Sequence, residues 1–110
     1  MAKYCMVKFY VKTNENVEDI YLVGNTKNLG FWDVKKSTKM KRLEDGTFKA
    51  MKRFFINDKI EYKVIANKSW DNVEKGIFAE DIQNHNFEAI KGHYEDIFVH
   101  SFTLNSQLSV

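Results

Sequence analysis

The sequence predicts an all-β protein, an antiparallel sandwich or barrel of seven or eight short strands. Three observations predict it. Apolar residues recur with a period of two, turn signals interrupt them at fairly regular intervals, and no stretch carries a convincing helical stripe.

Taken in order, Val7, Phe9 and Val11 alternate with Lys8, Tyr10 and Lys12, which describes a half-buried strand. Cys5 falls at the start of this strand, where a buried thiol is expected. After the polar break at Thr13-Asn14-Glu15-Asn16, Asp19-Ile20-Tyr21-Leu22-Val23 forms a second strand rich in β-formers. Gly24-Asn25 ends it, and a loop runs through Lys27-Asn28-Leu29-Gly30 to Trp32. Glu44-Asp45-Gly46-Thr47 is a hairpin turn between Lys39-Met40-Lys41 and Phe48-Lys49-Ala50. Met51 and Lys52 spoil the alternation beyond it, which predicts a bulge before Phe54-Phe55-Ile56. Past the Asn57-Asp58 turn comes the clearest strand, Ile60 to Ala66. Ile60, Tyr62, Val64 and Ala66 face one way, and Glu61, Lys63 and Ile65 the other. Parity assigns Tyr62 and Phe48 to the core. A long polar connection carries Trp70, Asp71 and Asn72 onward to Asn84, and strands resume at Asn86-Phe87-Glu88-Ala89 and Ile97 to Phe102. One domain is expected over residues 1–104, with 105–110 a C-terminal tail or the start of a linker.

Composition narrows the function classes. With 44% hydrophobic and 29% charged residues the chain has enough apolar material to fold. Its net charge is only +2 with both signs interspersed. The densest basic stretch, Lys35 to Arg42, runs directly into Glu44 and Asp45 and reads as a solvated face, so no nucleic-acid partner is expected. A single cysteine excludes an intramolecular disulfide. No apolar run is long enough for a membrane span, and no secretory signal is expected at the start. A reducing cytoplasmic setting and a place within a larger secreted protein both fit. His85, His93 and His100 match no metal-binding spacing, so no metal or cofactor is expected. The neighbouring carboxylates Glu80-Asp81 and Glu95-Asp96 would point to opposite faces of a strand, which argues against a catalytic pair and against an enzyme.

Three stretches resemble a known family. Val23-Gly24-Asn25 followed by Leu29-Gly30-Phe31-Trp32-Asp33 resembles the LVG…LGxWD signature of starch-binding modules. Ile60-Glu61-Tyr62-Lys63-Val64-Ile65 resembles their EYKF strand. Ser69-Trp70-Asp71-Asn72-Val73-Glu74-Lys75, with Ile82-Gln83-Asn84-His85-Asn86-Phe87 after it, is similar to a SWDxVEK…IPNR variant in bacterial relatives of the family-20 carbohydrate-binding modules. The resemblance covers roughly residues 5 to 102. The resemblance implies an immunoglobulin-like antiparallel β-sandwich that binds α-1,4-glucans such as starch, glycogen or maltooligosaccharides. It implies no catalysis by the module itself, and it brings in an appended glycan-active catalytic domain as a possible partner.

Carried over onto this sequence, the sugar site falls on Trp32, Lys63, Trp70 and Asn84. Two angled indoles suit a curved glucan, because their faces pack against the C–H face of glucose. Lys63 would donate hydrogen bonds at the rim, and Asn84 would donate and accept. Gln83 and His85 replace the proline and arginine of the family pattern, which removes that source of loop rigidity. The family's second site uses aromatics where this chain has Asn16 and Asp45-Gly46, so one site is expected. Phe31 and Phe78 are assigned to core or lid packing, and Asp33 and Asp71 either anchor their loops or touch sugar. The rival is a β-sandwich used for protein contact or regulation without sugar binding; it would surround the tryptophans with a contiguous apolar surface.

Overall fold

The computed structural model of the protein describes residues 3–102, so the tail expected at 105–110 and the boundary at 104 lie outside the described residues. Among the described residues the chain forms strands β1 (Tyr4–Thr13), β2 (Ile20–Gly24), β3 (Thr38–Lys39), β4 (Lys41–Arg42), β5 (Phe48–Phe55), β6 (Lys59–Ala66), β7 (Glu74–Lys75), β8 (His85–Glu88), β9 (Tyr94–Val99) and β10 (Ser101–Phe102). The sheets run β4-β5-β1-β9 and β3-β2-β6-β8, with a small β10-β7 pair beside them. This is the all-β sandwich that the alternation predicts. Its pairings are antiparallel except β1 with β9, which run parallel from Lys8↔Tyr94 to Thr13↔Val99.

The core follows from parity. Cys5, Val7, Phe9 and Val11 of β1 are buried, as are Ile60, Tyr62, Val64 and Ala66 of β6, and Phe48 joins them. Phe9 lies between the sheets with the rings of Phe54, Tyr62 and Phe87 at 6.2, 5.2 and 5.8 Å, all edge-on. That geometry sets ring edges against ring faces and adds attraction beyond area burial. The bulge expected at Met51-Lys52 is absent. The β1–β5 register runs unbroken from Tyr4↔Phe55 to Val11↔Phe48, with Met51 outward and Lys52 half-buried at a core-facing position. The alternation was intact; one of its inward positions simply carries a lysine.

Val23 and Ile65 sit on the opposite face of the second sheet and are nevertheless fully buried; beside them Val73 pairs with Ile65 through an isolated antiparallel bridge at the edge of β6.

Inside, the Tyr62 hydroxyl donates to Glu95 Oε1 at 2.7 Å, and Glu95 Oε2 lies 2.6 Å from His93 Nε2. Burial, then the Glu95 acceptor and its charge, push the Tyr62 phenol far above its ordinary value. An unfolded tyrosine loses its proton near pH 10, whereas the folded one keeps it. Tyr62 therefore contributes stability that is complete below about pH 10 and declines above it by about 1.4 kcal/mol per pH unit. Urea unfolding measured between about pH 8 and 11.5 should show this decline in the parent and a shallower one in Tyr62→Phe; equal slopes would refute the assignment.

Candidate functional site

Trp32 and Trp70 follow different strands, yet their rings meet with centroids 6.4 Å apart and planes tilted by 33°. The two loops leave opposite ends of the antiparallel β2–β6 pair and nevertheless bring the two indoles together.

The first loop is fixed residue by residue. Gly24 closes β2 where a Cβ would lie 2.4 Å from the Glu61 carbonyl oxygen, so only glycine lets the strands approach. Asn25 binds the facing strand with its whole amide: Oδ1 accepts from the Glu61 N–H at 3.0 Å and Nδ2 donates to the Lys59 carbonyl at 3.1 Å. Thr26 caps a 3-10 turn over Lys27–Trp32, and fully buried Leu29 roots that turn in the core. Gly30, Phe31 and Trp32 then take φ values of +83°, +49° and +66°, three successive left-handed residues that reverse the chain. Asp33 closes the reversal: its N–H donates to the Gly30 carbonyl, and its carboxylate accepts from the Lys35 N–H at 2.9 Å. It is a loop anchor. The reversal leaves Trp32 half-buried beside Trp70 and turns Phe31 out, 64% exposed.

Gly30 is the hinge of this arrangement. A Cβ there would lie 2.6 Å from the Lys36 carbonyl oxygen, at a positive φ as well. Gly30→Ala should cost about 1–3 kcal/mol and displace Trp32. A lowered Tm together with a shifted tryptophan emission maximum is the expected result; an unchanged spectrum would show that the indole does not depend on this turn.

The second loop turns at Asn67 and Lys68, both at positive φ, and Ser69 caps the short 3-10 turn Trp70–Asn72 by accepting the Asp71 N–H at 3.1 Å. Trp70 emerges 41% exposed.

The polar residues form a second, adjoining set. Lys63 lies on the same outer face of β6, opposite Val23, but it is half-buried and its ammonium donates to the Ile82 carbonyl. It pins the loop that carries Asn84 rather than standing free. Asn84 Nδ2 donates to Glu61 Oε1 at 3.1 Å. Glu61 shares that face with Lys63, and strand parity was the signal that could have found it.

Glu74 is the other residue that motif reading missed. It is 2% exposed; Oε2 accepts the Val64 N–H at 2.6 Å and Oε1 lies 2.7 Å from His85 Nε2. The β6–β8 ladder ends at Tyr62↔His85, so this carboxylate supplies the acceptor that strand pairing no longer provides. Between Glu74 and His85, Lys75 pairs with Asp81, the Gly76 N–H donates to the Glu80 carbonyl, and Ser101 Oγ donates to the Gly76 carbonyl. The Lys75 hydrogen bond and charge hold the Asp81 carboxyl below its ordinary range. These contacts fix the loop in place of the absent proline and arginine. Phe78, assigned to core or lid packing, is instead 86% exposed at the loop tip, where its N–H donates to the Glu80 carboxylate. Phe31 departs from the same expectation for the reason given above.

The structure thus joins Trp32 to Trp70, and ties Lys63 and Asn84 into one hydrogen-bonded set with Ile82 and Glu61. Among the described residues no group of three or more His, Cys, Asp or Glu is arranged to hold a metal ion.

Similar solved structures include the family 15 glucoamylase from Hypocrea jecorina, at 17% identity and a TM-score of 0.69, covering 89% of this chain and 17% of that one. The family 20 carbohydrate-binding module of the maltotetraose-forming amylase from Pseudomonas saccharophila STB07 has 18% identity and a TM-score of 0.66, covering 84% and 98%. The γ-cyclodextrin glucanotransferase from alkalophilic Bacillus clarkii has 22% identity and a TM-score of 0.64, covering 88% and 15%. The chain therefore spans under a fifth of the two whole enzymes and nearly all of the separate module. At these identities the likeness concerns the fold. No curated protein sequence matches the chain. The sequence model of family 20, described as "Starch binding domain", matches residues 4–96, and with that match the chain belongs to the starch binding domain family of carbohydrate-binding modules.

Proposed function

We propose that the protein is a non-catalytic module that binds α-1,4-glucans (starch, glycogen or maltooligosaccharides) at one site, by stacking glucose rings on Trp32 and Trp70. The observation that carries this reading is the convergence of two indoles at 6.4 Å and 33° on a face otherwise covered by polar loops. Each indole offers a flat apolar surface to the C–H face of a sugar, and the tilt between them follows a curved chain better than a flat one. Asn84 uses one N–H on Glu61; its second N–H and its carbonyl oxygen are the groups offered to sugar hydroxyls. Lys63 and Glu61 hold that amide in place.

Non-catalytic action is supported by what the acidic residues do. Glu80 and Asp81 stabilise their own loop, and Glu95 serves Tyr62 and His93. The similar structures belong to a maltotetraose-forming amylase, a glucoamylase and a glucanotransferase, which fits a partnership with a glycan-active catalytic domain. Affinity per site is expected on the order of 10 µM to 1 mM, since ordering costs offset much of the contact energy. Long polymers offset this weakness by offering many sites.

The test is retention on insoluble starch, with cellulose as the control, followed by tryptophan fluorescence titration with maltoheptaose. Retention on starch together with a saturable change supports the reading; passage through starch with a flat titration overturns it.

A further inference from the structure

The outer face of the β4-β5-β1-β9 sheet departs from what a solvated sheet face carries. Antiparallel sheets with one face in water are normally polar on that face. Here Tyr4 stacks on Phe55 at 4.6 Å, and along the same face the register sets Met6 opposite Arg53 and Met51 opposite Lys8; Tyr4, Phe55, Met6 and Met51 are all about half-exposed. Further along, Tyr10 meets Tyr94 edge-on at 6.3 Å, and Phe98 lies beside Lys12. Between the two groups is a hollow of about 310 Å³ lined by Met6, Lys8, Tyr10, Gly92, His93 and Tyr94. Methionine, aromatic and arginine side chains in one patch match the composition of interface centres.

Charge adds the second constraint. Lys8, Lys12, Lys41, Lys49 and Arg53 occupy outward positions, against Asp96 and, at the hairpin end beside Lys12, Asp45. Five of the chain's 17 basic residues and two of its 15 acidic residues thus lie on this face, a net +3, while the remaining twelve basic and thirteen acidic residues sum to −1. The described salt bridges include none of those five cations.

We propose that this face docks an acidic protein segment, whose carboxylates meet Lys8, Lys49 and Arg53 and whose apolar anchor fills the hollow beside Tyr10 and Tyr94. Two other occupants fit less well. Face-to-face pairing with a second copy would set +3 against +3. Nucleic acid would need free ring faces, but Tyr4 already has Phe55 stacked on it and Arg53 over its ring at 4.6 Å, and Lys49 sits over Tyr10 at 5.8 Å.

The test is a backbone amide NMR titration of the chain with a synthetic peptide of alternating glutamate and leucine with one central phenylalanine. The expected result is saturable shifts confined to Met6, Lys8, Met51, Arg53, Tyr94 and their neighbours. Lys8→Glu/Arg53→Glu, with both substitutions at exposed positions and folding checked by Tm, should weaken binding at least tenfold. Saturating maltoheptaose should leave the peptide titration unchanged, which separates this surface from the indole site. The proposal is overturned by equal binding of the same peptide with lysine for glutamate, or by tighter binding of oligo-dT. Concentration-dependent shifts of this face without peptide, or no saturable shift at millimolar peptide, overturn it too.

Discussion

Trp70→Ala is expected to weaken maltoheptaose binding by about 30-fold or more, the equivalent of about 2 kcal/mol, which is what removing a large aromatic contact from the centre of a binding site costs. From a starting affinity near the middle of the expected range, this leaves binding too weak to measure by fluorescence. The Tm of the same variant falls little, by the equivalent of about 1 kcal/mol or less, because Trp70 is 41% exposed and lies outside the buried core. Trp32→Ala gives a comparable loss of binding with a larger fall in Tm, since that indole is half-buried and ends the left-handed reversal that begins at Gly30. The two rings are in contact range of each other at 6.4 Å, so the double variant loses less than the sum of the singles. Isothermal titration with maltoheptaose and thermal melts on all three variants measure these quantities. A Trp70→Ala protein that unfolds, or one that still binds like the parent, removes Trp70 from the sugar platform.

How much of this was legible in the sequence depended on whether a single face of a strand is buried. β1 buries one face, and β6 does so as far as Tyr62 before Ile65 is buried on the other side, so their alternation fixed register and core membership, down to Phe9 and Tyr62. β3, β4, β7 and β10 are two residues long and have no period to read. The parallel pairing of β9 with β1 is a long-range choice that no local pattern encodes. Lys52 misled because a charged residue on a core-facing position looks like a slip in register, although a long side chain tolerates a half-buried site. In the site, the motifs located both indoles but not the backbone that aims them. Phe31 and Phe78 look like packing residues by type; a run of positive φ and the Glu80 clamp turn them outward. In the sequence Glu61 shows only as sharing the face of Lys63, and Glu74 only as part of a motif; the folded chain shows that one holds Asn84 and the other is buried against Val64 and His85.

Glu74 is where that hidden layer has its largest expected effect on stability. In Glu74→Ala the fully buried Val64 N–H and the half-buried His85 ring nitrogen both lose their acceptor. Leaving such groups unpaired costs about 3 kcal/mol or more. For a domain of roughly 100 residues, each kcal/mol lowers Tm by about 4–8 °C, so a fall of more than about 10 °C is expected. Glu74→Gln keeps an oxygen for the Val64 N–H and presents an amide N–H₂ to His85, so it falls between the parent and the alanine variant. Sugar binding follows the same order at temperatures where all three are folded. His85 ends the loop that carries Asn84, and loosening it lets the amide leave Glu61 and lose its orientation. That loss should be a few-fold in Kd, well short of the loss in Trp70→Ala, because the stacking platform is untouched. Differential scanning calorimetry and maltoheptaose titration on the two variants decide the matter. A Glu74→Ala protein that melts within about 3 °C of the parent shows that the neighbouring strands, and not this carboxylate, hold the loop against β6.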